Sequence, residues 1–284
     1  MPIKAEHLTH EYNTGTSMAQ KAVDDVSFEI DDGEYVGLIG HTGSGKSTLI
    51  QHLNALIKPT SGKIYLDGED INADKSKLKS VRSRVGLVFQ YPEYQLFEMT
   101  VIKDAAFGPT NLGLSEADAA AAAKEALELV GIGEEYFEKS PFELSGGEKR
   151  RVAIAGILAM KPRVLVLDEP AAGVDPKGRN EILEAIKKMH DETGITVIMV
   201  SHSMEDVAKY AGRILVMEKG RIVMDGKPRD IFSNIDALEA MGLAAPQISY
   251  IMRGISKELG VSKDIFTVEE AAEEIYKSLK GGMQ

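Results

Sequence analysis

Cysteine is absent from this sequence of 284 residues, and its absence excludes several kinds of chemistry. Disulfides, thiolate metal sites and cysteine nucleophiles are all ruled out, which fits a reducing compartment. The first residues, MPIKAEHLTHEY, lack the apolar core of a signal peptide. The longest apolar stretches, such as Val152 to Met160, fall far short of the ~20 residues that span a bilayer. If the protein serves a membrane, we expect other chains to provide the spans.

Basic residues are also scarce: 33 Lys and Arg stand against 44 Asp and Glu, a net charge of −11. Sequence-independent binding to nucleic acid needs a basic surface that neutralises phosphates, so this balance argues against it. Hydrophobic residues make up 43% and charged residues 27%, as in an ordinary globular protein. The length allows one large domain, or a domain with an appendage.

Short apolar runs, and segments in which apolar and polar residues alternate, predict strands that are interspersed with helices along the chain. This α/β pattern predicts a mainly parallel sheet, preceded by an antiparallel β subdomain that starts with short strands over residues 3–35. Residues from about 91 to 160 predict an inserted helical subdomain. Residues 231–284 predict a polar helical extension of the main domain 1–230, with a break at 244–246. The predicted elements are strands Val26–Ile30, Tyr35–Ile39, Val164–Leu167, Thr196–Val200, Ile214–Met217 and Arg221–Met224, a hairpin over 62–68, and helices Thr48–Leu56, 115–130 and 150–160.

A glycine-rich segment between a predicted strand and a predicted helix matches the pattern G-x-x-x-x-G-K-[ST]. Glycines let several backbone N–H groups converge on phosphate oxygens, beside the positive end of the helix. Lys46 is predicted to reach the β- and γ-phosphates, and Ser47 to ligate Mg²⁺. The strand–helix context disfavours the alternative, a glycine-rich turn that matches by chance. We therefore predict a nucleoside triphosphate site, the phosphate loop, at Gly40, His41, Thr42, Gly43, Ser44, Gly45, Lys46, Ser47 and Thr48.

Two adjacent carboxylates, Asp168 and Glu169, follow the buried strand that begins at Val164. Ligands of an open α/β sheet lie at the carboxyl ends of its strands. Asp168 is suited to hold Mg²⁺, and Glu169 to polarise an attacking water. Two solvated acids at a strand end are the alternative, which a phosphate loop in the same chain disfavours. The pair therefore predicts hydrolysis of the bound nucleotide.

The signature segment, Leu144-Ser145-Gly146-Gly147-Glu148, predicts a second anion site at the start of a helix. Ser145 is placed as the N-cap, and the two glycines expose backbone N–H groups. Ser145 and Glu148 also fit a plain capping box, and both interpretations can hold at once. The segment resembles the LSGGQ signature of ABC ATPases, the nucleotide-binding subunits of ABC transporters. The resemblance covers about residues 3–235 and implies a P-loop NTPase core.

Four further residues follow in the order expected of the ABC family. Gln90 resembles the glutamine that touches Mg²⁺, and His202 resembles the switch histidine that contacts the γ-phosphate. Asp175 resembles the D-loop that connects the two sites of a dimer. Tyr12 resembles the aromatic residue that stacks on adenine, although an ordinary surface tyrosine fits nearly as well. The resemblance implies a dimer with ATP between one subunit's phosphate loop and the other's signature segment, with Glu169, His202 and Gln90 as catalytic residues and Ser47, Gln90 and Asp168 as Mg²⁺ ligands.

The coupling segment, Pro92 to Leu96, resembles the x-P-[DE]-x-Q-Φ segment of energy-coupling factor (ECF) ATPases. In that family it forms a short helix that faces the transmembrane coupling protein, so the implied coupling residues are Pro92, Glu93, Gln95 and Leu96. A proline followed by an acid also suits the start of any surface helix. The segments LIQHLNALIKPTSG, ELSGGEKRRVAIAGILAM and VSHSMEDVAKYA closely resemble the second ATPase subunit of ECF vitamin importers.

The ECF resemblance implies partners and a location. The partners are a related but distinct second ATPase, a transmembrane coupling protein and a small substrate-binding membrane protein, which selects the vitamin or ion; a homodimer stays open. Nucleic acid is not among them. The extension 231–284 is implied to contribute dimer contacts, and the subunit is implied to be peripheral at the cytoplasmic face of the cell membrane.

Two residues depart from the family pattern. Glu148 stands where the signature usually has glutamine, and Ala171 stands where threonine usually follows the carboxylates. An anionic side chain near the partner's ATP should weaken closure of the dimer, so we predict that this signature builds the weaker of two unequal sites. The replacement of threonine by Ala171 has no functional explanation.

Three alternatives to a vitamin importer stay open. A cobalt or nickel ECF importer and an ordinary ABC solute transporter differ from it in their membrane partners. Soluble ABC proteins of DNA repair or translation are the third alternative. Those of DNA repair separate the nucleotide motifs by a long coiled coil, whereas Lys46 and Asp168 are only 122 positions apart. Those of translation carry two ATPase domains in one chain, and this chain has one.

Overall fold

Two sheets organise residues 3–281, the part of the chain that the computed structural model describes. The strands in this part are β1 (Ile3–Tyr12), β2 (Gln20–Ile30), β3 (Tyr35–Ile39), β4 (Ser61–Leu66), β5 (Glu69–Asp70), β6 (Val85–Val88), β7 (Val164–Asp168), β8 (Thr196–Val200), β9 (Arg213–Glu218) and β10 (Arg221–Gly226). A four-stranded antiparallel sheet has the order β2-β1-β4-β5. A six-stranded sheet has the order β10-β9-β3-β8-β7-β6 and is parallel except for its edge strand β10.

Helices occupy most of the chain between and after these strands. Over the same residues they are α1 (Lys46–Leu53), α2 (Leu78–Arg84), α3 (Val101–Leu112), α4 (Glu116–Leu129), α5 (Gly146–Leu158), α6 (Pro176–Thr193), α7 (Met204–Tyr210), α8 (Pro228–Phe232), α9 (Ile235–Ala240), α10 (Gln247–Leu259) and α11 (Val268–Gly281). Short 3-10 helices lie at Lys75–Lys77, Pro92–Gln95, Glu134–Tyr136 and Pro141–Glu143. Within residues 3–281, none of the helices has the length and apolar character that crossing a bilayer requires.

The parallel sheet separates two hydrophobic cores. Because successive residues of a strand point to opposite faces, each central strand contributes to both. On β3, Val36 and Leu38 belong to a core shared with α1 and the four-stranded sheet. Tyr35 and Ile39 belong to the other core, which α5, α6 and α7 cover. Burial of both faces explains the uninterrupted apolar runs of these strands and confirms the predicted α/β fold.

Several predicted elements are confirmed, and the bounds given for two helices are wrong. The strand Thr196–Val200 is β8, and the helix over 115–130 is α4, whose first turn Ser115 caps by accepting from the backbone N–H of Asp118. The first helix begins at Lys46 rather than Thr48, and it ends at Leu53. The helix predicted over 150–160 is α5, which spans Gly146–Leu158, and its start confirms the predicted N-cap Ser145 and the capping box with Glu148. The N-terminal strands, at 10 and 11 residues, are longer than predicted.

The C-terminal residues divide between two clusters. Phe232, Leu238 and Phe266 belong to the larger core of the sheet, so the start of the extension packs against the main body. A separate small cluster joins α10 and α11 around Met252. The predicted break at residues 244–246 is confirmed, since it separates α9 from α10. The limits of the helical subdomain and of the extension stay predictions.

Candidate functional site

One cavity of about 340 Å³ gathers most of the residues predicted for nucleotide and metal binding. Strands β3, β7 and β8 point their carboxyl ends at it, as expected for a ligand site of an open α/β sheet. Gly40, His41 and Ser44 belong to the same loop without lining the cavity. Within residues 3–281, the cavity is lined by Tyr12, Gln20, Ala22, Thr42, Gly43, Gly45, Lys46, Ser47, Thr48, Gln90, Asp168, Glu169, Val200 and His202.

Two glycines of the phosphate loop are needed for its path. Gly45 has φ of 105°, a conformation that residues with a side chain rarely adopt. At Gly40, a Cβ atom would lie 2.3 Å from the carbonyl oxygen of Met217, so only glycine fits against β9. Within residues 3–281, no side chain accepts a hydrogen bond from the first N–H groups of α1. Its first-turn N–H groups therefore face the cavity end of the helix, where an anion can accept from them.

Lys46 is held in the centre of the phosphate loop. Its ammonium donates hydrogen bonds to the carbonyl oxygens of Gly40 at 2.7 Å and His41 at 3.1 Å. Only 6% of the residue is exposed, and this burial lowers the pKa of the ammonium. The negative charges of Glu169 and Asp168 act in the opposite direction and raise it. An ammonium has three N–H donors, so one is left for a phosphate oxygen.

Ser47, Gln90 and Asp168 fit a magnesium ion by their chemistry. All three line the cavity, and the Ser47 hydroxyl lies close enough to the Asp168 carboxylate to influence its pKa. Burial raises the pKa of Asp168, and the Ser47 contact and the charge of Lys46 oppose this rise. Hydroxyl, amide and carboxylate oxygens are the hard ligands that Mg²⁺ prefers, and it keeps waters besides.

Glu169 follows Asp168 in an unusual backbone conformation. Its φ is 52°, in the left-handed region that costs a non-glycine residue about 1–3 kcal/mol. Its backbone N–H donates to the carbonyl oxygen of Val200 at 3.1 Å, at the end of β8. Oε1 is buried and accepts no hydrogen bond from residues 3–281; it lies 3.6 Å from Nε2 of His202. Burial raises the pKa of the carboxyl to about 7.

The base-binding candidate, Tyr12, lies at the mouth of the same cavity. Its side chain is 40% exposed, and its hydroxyl lies 3.2 Å from Oγ1 of Thr48, in the first turn of α1. The structure therefore places an exposed aromatic ring next to the phosphate loop, as the adenine-stacking interpretation requires.

The signature segment starts α5 through a complete capping box. The Ser145 hydroxyl accepts from the N–H of Glu148 at 3.3 Å, and the Glu148 carboxylate accepts from the N–H of Ser145 at 2.8 Å. These contacts lower the pKa of Glu148. Leu144 is buried, whereas a Cβ on Gly146 or Gly147 would touch nothing within 4 Å, so this backbone is open to an approaching ligand.

Asp175 and the signature segment are not among the residues that line the cavity. Asp175 is exposed and caps α6, accepting from the N–H groups of Lys177 at 3.0 Å and Gly178 at 3.1 Å. Ala171 is half-buried against the larger core. The structure thus brings the nucleotide, metal and carboxylate residues together and leaves the predicted dimer residues apart from them.

The coupling segment forms the 3-10 helix Pro92–Gln95, which begins after Tyr91 in a left-handed conformation with φ of 56°. Pro92 and Leu96 are buried, whereas Gln95 is exposed and Tyr94 is 84% exposed. The segment is therefore anchored on one side and presents an aromatic ring on the other.

Sequence reasoning missed Arg150, which is almost fully buried in α5 at 2% exposure. Its guanidinium donates to both carboxylate oxygens of Glu93, and to the carbonyl oxygens of Pro170 and Ala172. The signal was present in the sequence: Arg150, Ile154 and Leu158 are spaced by four, which places the arginine on the apolar face of its helix.

Comparisons with known proteins agree with this geometry. The family model described as ABC transporter matches residues 23–172. The energy-coupling factor transporter ATP-binding protein EcfA2 of Clostridium tetani is 58% identical over 98% of this chain and 97% of its own length. The protein of the same name from Caldanaerobacter subterraneus is 56% identical over 99% of each.

Solved structures give the same result. CbiO1 of Clostridium perfringens, described as part of the ABC transporter complex cbiONQ, has a TM-score of 0.75 and 37% identity over 88% of this chain and 98% of its own. The ATP-binding cassette MJ0796, dimeric in a post-hydrolysis state with ADP and phosphate, has a TM-score of 0.71 and 30% identity over 80% of this chain and 98% of its own.

Proposed function

The chain belongs to the ABC transporter family as an ATP-binding and ATP-hydrolysing subunit, and from this premise we propose that it powers an energy-coupling factor importer of vitamins or other micronutrients. The observation that carries the proposal is the single cavity shared by Lys46, Asp168 and Glu169. Full-length similarity to proteins named EcfA2 supports the ECF subtype.

The residues of the cavity suggest how ATP is held and split. Lys46 and the first-turn N–H groups of α1 bind the β- and γ-phosphates. Ser47, Gln90 and Asp168 would hold Mg²⁺, which neutralises the charge that develops on the phosphates. Glu169 accepts a hydrogen bond from the attacking water; its Oε1 is buried and has no hydrogen-bond partner within residues 3–281, which supports this role. His202, 3.6 Å from that oxygen, contacts the γ-phosphate.

A second subunit completes the site in this proposal. ATP on the phosphate loop meets Ser145, Gly146 and Gly147 of a related but distinct ATPase chain, with Asp175 at the contact. The open glycines at the start of α5 support this role, because a helix N-terminus favours an anion. The exposed Ile251 and Tyr276 of α10 and α11 support dimer contacts from the C-terminal extension.

The membrane partners would dock at the coupling segment. Exposed Tyr94, Phe97, Met99 and Phe107 surround it, next to a groove of about 510 Å³. Apolar patches of this kind mark contacts with other chains. We assign this surface to a transmembrane coupling protein and propose that the subunit works at the cytoplasmic face of the membrane. A substrate-binding membrane protein selects the cargo.

The test is to purify the chain with its companions from membranes, identify them by mass spectrometry and measure ATP hydrolysis with and without Mg²⁺. We expect a second ATPase and two membrane proteins, and magnesium-dependent turnover. Lys46→Ala should abolish binding of ATP, whereas the exposed Lys58→Ala should not. An assembled complex that neither retains nor splits ATP would overturn the proposal.

A further inference from the structure

Two histidines pack beneath the base-binding side of the cavity, outside the groups that act in hydrolysis. His52 of α1 is fully buried, and neither of its ring nitrogens has a hydrogen-bond partner within residues 3–281. Its ring lies 4.7 Å from the ring of His10, nearly perpendicular at 85°. A buried N–H without an acceptor is costly, and a perpendicular ring lets one imidazole N–H point at the π face of the other.

The contact continues to the exposed tyrosine. The His10 ring lies 4.5 Å from the Tyr12 ring at 73°, and the Tyr12 hydroxyl lies 3.2 Å from Oγ1 of Thr48. Both ring pairs have the edge-to-face geometry that aromatic rings prefer. We call these four side chains, His52, His10, Tyr12 and Thr48, the histidine ladder.

The ladder connects a strand and a helix at matching intervals. His10 and Tyr12 are two residues apart on β1, a rise of about 7 Å along a strand. Thr48 and His52 are four residues apart on α1, a rise of about 6 Å along a helix. Each pair therefore lies on one side of its element, and the two contacts run side by side across the interface.

The pairing of β1 with β2 is irregular around His10, because the register shifts between Leu8 and His10 and again between His10 and Glu11. Regular pairing resumes beyond the second shift, where Tyr12 pairs with Gln20. Backbone pairing therefore positions Tyr12 relative to β2, whereas the contacts of its side chain with His10 and Thr48 position its ring relative to α1. His52 carries no charge at neutral pH, because burial lowers its pKa to about 4.

We propose that His10 and His52 are positioning residues that hold Tyr12 at a fixed distance from the phosphate-binding helix, and so set how much the base contributes to nucleotide binding. The inference rests on the proposed function, since it requires the base to stack on Tyr12. The triphosphate binds to the loop and to the first-turn N–H groups of α1, and neither histidine lines that cavity. Loss of the ladder therefore weakens binding of a ligand that carries a base, and leaves a bare polyphosphate unaffected.

The experiment compares two ligands on the purified full chain with Mg²⁺: ATP and inorganic tripolyphosphate, each titrated by calorimetry. Tyr12→Ala should weaken ATP binding about 5- to 100-fold, the range for stacking one base on an aromatic ring. His10→Ala should weaken it about 3- to 10-fold, as expected for losing edge-to-face ring contacts. His10→Phe keeps a ring in place and should recover most of the affinity. Tripolyphosphate should bind all variants equally.

Each other outcome has a distinct meaning. If His10→Ala weakens both ligands alike, the histidine acts on the fold as a whole and the inference is overturned. If His10→Ala binds ATP as the unchanged chain does, or His10→Phe recovers nothing, the inference is overturned as well. If Tyr12→Ala has no effect, the base contact is wrong while nucleotide binding stands. If the unchanged chain binds neither ligand, the proposed function itself fails.

Discussion

The guanidinium of Arg150 donates two hydrogen bonds to the carboxylate of Glu93, at 2.9 and 2.7 Å, across 57 positions of sequence. This pair joins α5, which begins with the signature segment, to the 3-10 helix that carries Tyr94. Arg150 also donates to the carbonyl oxygens of Pro170 and Ala172, just after the carboxylate pair. Arg150 therefore links the 3-10 helix Pro92–Gln95 both to α5 and to the loop that follows Glu169, and we expect a movement of one to be felt by the others.

We expect Glu93→Gln to separate ATP hydrolysis from transport. The side chains of Arg150 and Glu93 are 2% and 15% exposed, and removing one charge of a buried pair costs about 3–5 kcal/mol. Uptake per ATP hydrolysed, measured with the assembled complex in vesicles, should fall about tenfold. The neighbouring pair of Arg151 and Glu181 is 17% and 43% exposed, so Glu181→Gln is the matched control and should change little. Equal behaviour of the two variants would contradict the prediction.

Glu169→Gln should slow hydrolysis and spare binding. The variant keeps the shape of the side chain and removes its capacity to accept a proton from water, a contribution of about 10²–10⁴-fold. The measurement is single-turnover hydrolysis in the assembled complex, together with retention of ATP. Glu192, 53% exposed at the end of α6, supplies the control variant Glu192→Gln. Near-normal turnover of Glu169→Gln would remove this residue from its role.

Glu148→Gln tests whether the signature of this chain builds the weaker site. Glutamine can close the capping box as glutamate does, so the variant removes charge and keeps the helix start. We expect tighter ATP-driven dimerisation and faster hydrolysis, each by a few fold, measured by gel filtration and phosphate release. The exposed Glu138→Gln controls for net charge. Unchanged dimerisation and hydrolysis in Glu148→Gln would show that the two sites do not differ for this reason.

His52 should make the fold sensitive to mild acid. The unfolded chain binds a proton at its ordinary pKa of 6.5, whereas burial lowers the pKa in the fold to about 4. The free energy of unfolding is therefore undiminished above pH 6.5 and falls as the pH drops towards 4. Between pH 7.5 and 5.5 the loss should be about 1 kcal/mol. Urea unfolding at both pH values measures it, and in His52→Phe the pH dependence should shrink by that amount.

Tyr94→Glu should detach the subunit from its membrane partner. A charge at an exposed aromatic anchor of a contact surface costs binding while the cavity around Lys46 stays intact. Co-purification with the membrane proteins should drop at least tenfold, and ATP binding should stay as it was. Val223, 44% exposed on the opposite edge of the sheet in β10, provides Val223→Glu as the control. Loss of the membrane proteins from both variants would point to a general defect.

The nucleotide residues were predictable because their arrangement is local. Gly45, Lys46 and Ser47 lie between a strand and a helix that short-range patterns reveal, and Asp168 ends a strand that its apolar run reveals. Ligands lie at the carboxyl ends of parallel strands, and for this reason Asp168 and the phosphate loop were assigned to the same nucleotide.

Contacts between distant elements were not predictable in this way. The sequence around Arg150 does not indicate that Glu93 is its partner. Likewise, the sequence around His52 does not indicate that its ring contacts His10. The start of α5 was a local matter instead: the S-x-x-E pattern of Ser145 and Glu148 predicted the capping box that the structure contains.

The phosphate loop and the signature segment of this chain do not share a cavity. In the proposed pairing, they therefore serve two different nucleotides, one held by this chain and the other by its companion. Turnover would then be a property of the pair, because neither chain alone would present both halves of a site. In that pairing, the scarcer of the two chains would set how many complete sites form.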